Sequence, residues 1–152
     1  MPAGTFTRLA QVWGHPGTMV MQKRTAGDGV LSMSFSSLLA SAGDDVSDAA
    51  GTSFQVRAPV AANRKTHVVA ELHGKVSISG EGKCRVTLSG VNSTTSKSMS
   101  KTGDFSARLK VNVAPASTML ILQASLSCGR QSSGIAEGML ESLDLVWAGT
   151  EK

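Results

Sequence analysis

In four runs between residues 66 and 128, apolar side chains recur at every second position. From Thr66 to Ser79, one parity reads Val68, Ala70, Leu72, Gly74, Val76 and Ile78. The other reads His67, Val69, Glu71, His73, Lys75, Ser77 and Ser79. A strand turns successive side chains to opposite faces, whereas a helix brings them back every 3.6 residues. The same alternation runs through Cys84, Val86 and Leu88, then through Phe105, Ala107, Leu109, Val111 and Val113. It resumes in Leu120, Leu122, Ala124, Leu126 and Cys128 and ends in Leu143, Leu145 and Trp147.

Shorter runs at 5–13, 18–24, 30–36 and 53–59 also read as strands, with Leu31, Met33 and Phe35 on one face and Phe54, Val56 and Ala58 on another. The spacing predicts an all-β chain, a single antiparallel β-sandwich of jelly-roll type with about eight to nine strands. One domain over residues 1–152 fits the length. Residues 38–51 are expected as a loop or one short helix, and the polar tract 90–103 as a long exposed loop. Gly74 marks a bulge or bend.

The stretch SGEGKC at 79–84 has the look of a phosphate-binding loop. Such a loop needs a glycine five residues before the Gly-Lys pair and a hydroxyl after it. Those positions hold Ser77 and Cys84, and a strand pattern follows instead of a helix. A tight turn between two strands is the reading that fits, because glycine supplies positive φ cheaply. A hairpin is expected, with Lys75, Lys83 and Arg85 on its outward face.

Other constellations are incomplete. His67, Glu71 and His73 share one strand face, but no further metal ligand is identifiable. Asp44, Asp45 and Asp48 do not follow calcium-loop spacing. Asn92-Ser93-Thr94 matches a glycosylation acceptor by chance. His15, His67 and His73 lack a neighbouring nucleophile, and no hydrolase elbow or zinc motif occurs. The chain is expected to be no enzyme, with no catalytic residue, metal or cofactor. Cys84 and Cys128 fall in phase with core positions and are expected as buried free thiols, with a bridge or a shared metal as the alternatives.

Charge is uneven. Residues 57–110 hold ten basic residues against three acidic ones, which suits an anionic neighbour or a solvated face. Nucleic acid is disfavoured, since no aromatic interleaves this stretch between Phe54 and Phe105 to stack bases. No run is apolar enough for a membrane helix. The first seventeen residues carry no apolar signal core, so a cytoplasmic origin is expected. Their Gly/Pro content suggests an extended N-terminal arm ordered by a neighbour.

In size, fold class and chemistry, the chain resembles small virion sandwiches such as phage capsid decoration (cement) proteins. The resemblance implies a non-enzymatic structural protein that stabilises a capsid lattice. Its partners would be the major capsid protein and other copies of itself, a trimer being the expected homo-oligomer. It would be made in the host cytoplasm and reside in the virion. Candidate partner contacts are Lys75, Lys83, Arg85, Arg57, Arg64, Lys65 and Trp13. The alternative is a carbohydrate-binding or adhesin-like sandwich, which predicts Trp13 or Trp147 exposed in a groove. A phage tail or connector component is a further alternative.

Overall fold

The computed structural model describes residues 4–6, 11–14, 21–27, 29–35, 39–43, 49–91, 93–130 and 134–148. Twelve strands and no helix occur among them. Eight of the strands form the framework: β4 (Val30–Phe35), β6 (Ala49–Ala62), β7 (Thr66–Ser79), β8 (Lys83–Ser89), β9 (Thr94–Met99), β10 (Gly103–Val113), β11 (Met119–Gly129) and β12 (Ile135–Trp147). One sheet runs β6-β11-β8-β9 and the other β10-β7-β12-β4, with every pairing antiparallel. Apart from β8–β9, consecutive framework strands fall in opposite sheets, and the two orders together are those of a jelly roll. Short strands complete the sheets. β1 (Gly4–Phe6) and β2 (Gln11–Gly14) both pair with β6, β3 (Met21–Gly27) flanks β4, and β5 (Leu39–Ala42) pairs with β12.

Alternation decides what lies between the sheets. In β10 the odd-numbered residues Phe105 to Val113 are buried and the residues between them exposed. In β11, Leu120, Leu122, Ala124, Leu126 and Cys128 are buried. Phe35 of one sheet and Phe54 of the other meet with ring centroids 4.5 Å apart, a tilted contact across the core. Among the described residues, no polar or charged residue is buried.

Several expectations need correction. The turn at 80–82 exists, with Gly80 at φ 60° and the Gly82 amide donating to the Ser79 carbonyl at 3.1 Å. It does not close a hairpin, because β7 and β8 belong to different sheets. A two-residue periodicity shows that a reversal occurs but not which partner each strand takes. The tract 90–103 contains the edge strand β9, whose Arg85–Ser98 and Leu88–Thr95 register on β8 is regular. An edge strand of Ser, Thr and Lys has almost no apolar parity to read; only Met99 is buried. Part of 38–51 is strand β5, whose inward residues Ala40 and Ala42 are too small to give a strong signal. The irregularity expected at Gly74 lies on the partner strand, between Leu140 and Ser142 of β12.

Cys84 and Cys128 are joined by a disulfide, contrary to the free-thiol expectation. Both were read as inward on strands, and the register adds that they are directly opposite. Stretch 1–17, expected as an arm, contributes β1 and β2, which pair with β6 of the same chain. Phe6 packs against Trp147 at a centroid distance of 5.6 Å. Those described segments are thus held by the chain itself.

Candidate functional site

Three connections gather at one end of the sandwich: β6–β7, β8–β9 and β10–β11. Between them lies a cleft of about 690 Å³, within the usual size range of small-ligand sites. Its apolar lining includes Val111, Val113 and Leu120, which are buried, and Ile121, which is half-buried. Val91 and Met119 stand out at its edge, 80 % and 44 % exposed. Lys65, Thr66, His67, Ser93, Lys110, Asn112 and Ser117 supply the polar lining.

Register explains the grouping. Asn112 of β10 is opposite His67 of β7, and Val113 is opposite Thr66. Lys110 lies two residues back along β10, on the same outward parity as Asn112. Backbone bonds shape the surrounding loops. The Ser117 amide donates to Ala114 O at 2.9 Å, and the Gly90 amide to Ser93 O at 2.8 Å. The Ser93 hydroxyl donates to Lys110 O at 3.3 Å and so ties the β8–β9 loop to β10. Sequence reasoning placed Lys65 and His67 in candidate roles but missed Val91, Asn112 and Met119. These residues lie at strand ends and in turns, where periodicity carries no information.

The other candidate residues do not converge. Lys75 faces out from the β7 sheet and pairs with Glu141 at 3.6 Å. Lys83 and Arg85 face out from the β8 sheet, on the opposite side of the sandwich, where Arg85 donates to Ser96 Oγ at 3.1 Å. The expected Lys75–Lys83–Arg85 face is therefore split, because the turn joining these residues crosses between sheets. Arg57 is exposed on β6, and Arg64 and Lys65 are exposed at the cleft end. Trp13 occupies the register position opposite Gln55.

Trp147 is fully buried, so it offers no stacking surface for a ligand. Of the strand-face trio, Glu71 and His73 are engaged with each other. His73 Nε2 lies 3.2 Å from Glu71 Oε1 and 3.7 Å from Asp144 Oδ2. Among the described residues, no group of three or more His, Cys, Asp or Glu is placed to hold a metal ion. Asp44, Asp45, Asp48, His15 and Asn92 lie outside the described residues.

No protein-family model matches the chain, and no curated protein matches it in sequence. Solved structures give distant likenesses. The carbohydrate-binding module TmCBM61, in complex with β-1,4-galactotriose, is 11 % identical, with 94 % of this chain and 90 % of that chain covered at a TM-score of 0.36. The CBM36-1 domain of a multidomain xylanase from the hindgut metagenome of Trinervitermes trinervoides is 11 % identical, with 93 % and 99 % covered at a TM-score of 0.34. The enzymatically active domain of bacteriophage CBA120 tailspike protein 4 is 10 % identical, with 88 % and 19 % covered at a TM-score of 0.38. Scores this low carry no inference about ligand or activity; the jelly roll rests on this chain's own strand register.

Proposed function

We propose that the chain is a non-catalytic carbohydrate-binding β-sandwich module that holds a short oligosaccharide in the end cleft. The observation that supports this is the lining itself. Val91 and Met119 present aliphatic surface, against which the C–H face of a sugar ring can pack. Ser93, Asn112, His67 and Ser117 surround it with groups that both donate and accept hydrogen bonds. A sugar hydroxyl needs both. These polar groups are half-buried or exposed, so a ligand would exchange with water at them without the cost of opening a buried site.

The lining also argues for binding over hydrolysis. Glycoside cleavage ordinarily uses two carboxylates flanking the scissile bond. The described cleft residues include neither Asp nor Glu. A capsid-decoration role has less in its favour. Its expected basic contact face is divided between two sides of the sandwich, and the strands at 4–6 and 11–14 are paired within the chain.

Calorimetric titration with a panel of neutral and acidic oligosaccharides tests the reading. Binding of at least one class is expected, weakened roughly tenfold by Asn112→Ala, as loss of a hydrogen bond in a ligand site implies. A panel with no binder, or an Asn112→Ala variant that binds every ligand unchanged, contradicts it.

A further inference from the structure

The cleft is electrostatically one-sided. Lys65 and Lys110 line it, and no carboxylate does. Arg64 is exposed beside Lys65. Among the described residues, neither lysine has an ion-pair partner, whereas Lys75, farther along the same sheet, is paired with Glu141. The nearby carboxylates on this face, Glu71 and Asp144, are turned to His73. Two cations on an apolar-walled cleft concentrate positive potential there.

Both lysines line the cleft, Lys65 from the bend before β7 and Lys110 from β10, so an anionic ligand held there meets a cation from each of two elements.

We infer that the ligand of this cleft is an acidic oligosaccharide, whose carboxylate or sulfate groups meet Lys65 and Lys110. The inference rests on the carbohydrate-binding reading and narrows its ligand class. The aliphatic pair Val91 and Met119 takes the ring faces, and the two ammonium groups take the anions. A single-stranded nucleic acid is the competing polyanion. It is disfavoured because the cleft lining contains no aromatic ring on which bases could stack.

The test compares four probes on the full chain by calorimetry: tri-galacturonate, a heparin-derived tetrasaccharide, neutral galactotriose and an oligothymidylate. Tri-galacturonate or the heparin fragment should bind at least about tenfold tighter than galactotriose. Lys65→Ala and Lys110→Ala should each weaken that acidic probe by roughly fivefold to tenfold, with Lys75→Ala unchanged as the control. The advantage should shrink as salt rises. If galactotriose binds as tightly as the acidic probes, the charge inference fails and the module reading survives. If no saccharide binds, both fail. If oligothymidylate binds the cleft more tightly than any saccharide, the ligand class is wrong.

Discussion

Cys84 of β8 and Cys128 of β11 stand directly opposite in register, with Cα atoms 4.0 Å apart and a disulfide between them. The bridge staples two adjacent strands in the interior of one sheet and closes a chain separation of 44 residues. Such bridges persist in oxidising compartments. Protein purified without reductant should titrate with no free thiol. Reduction, or a Cys84→Ser/Cys128→Ser double variant, should cost about 2–4 kcal/mol. For a domain of this size that lowers Tm by roughly 5–15 °C. Thermal melts with and without reductant check this; an unchanged Tm argues that the thiols are free.

Gly74 should not tolerate a side chain. A Cβ there would run into the Met139 carbonyl oxygen and the Phe105 ring, with Phe105 Cε2 at 2.7 Å. Gly74 is opposite Phe105 on one side and Leu140 on the other, so the ring fills the space a side chain would take. Gly74→Ala should cost about 1–3 kcal/mol through overpacking. Chemical denaturation measures it.

Trp147 offers a more discriminating pair of substitutions. The indole is fully buried beneath β1, and its Nε1 has no hydrogen-bond partner among the described residues. Gly4 lies close enough that an added Cβ would meet Trp147 Cη2 and Cζ3 at 2.7 Å. Trp147→Ala should cost about 3–5 kcal/mol. Trp147→Phe should cost clearly less, because the phenyl ring keeps most of the buried apolar volume that alanine leaves as a cavity. Equal losses in the two variants would show that ring volume at this site does not contribute to stability.

Met119 separates binding from stability. It is 44 % exposed at the cleft edge, so Met119→Ser should leave stability within about 0.5 kcal/mol. Oligosaccharide affinity should fall several-fold, as expected when apolar contact area is removed. A matched pair of melting and titration experiments reads both.

Much of the fold is legible in the residues because an inward parity of Val, Leu and Phe must be buried. The runs at 66–79, 105–113 and 120–128 all fall in the strands so predicted, with their apolar members in the core. What parity cannot reveal is the partner of each strand. The turn at 80–82 therefore read as a hairpin, and the two cysteines read as separate thiols. Strand β9 was hidden because its outward and edge positions are all polar. The cleft was hidden for a related reason. Asn112, Ser93 and Met119 come together only because three connections end at the same pole of the sandwich, and nothing in their local sequence links them.

Residue-resolved chemical-shift mapping during titration with tri-galacturonate tests the central claim most directly. Binding at the end cleft predicts perturbations concentrated at residues 65–67, 91, 93, 110–114, 117 and 119–121, with Lys75 and Arg85 unaffected. Perturbations centred on the outward face of the β8 sheet, or none with ligand in large excess, would contradict it.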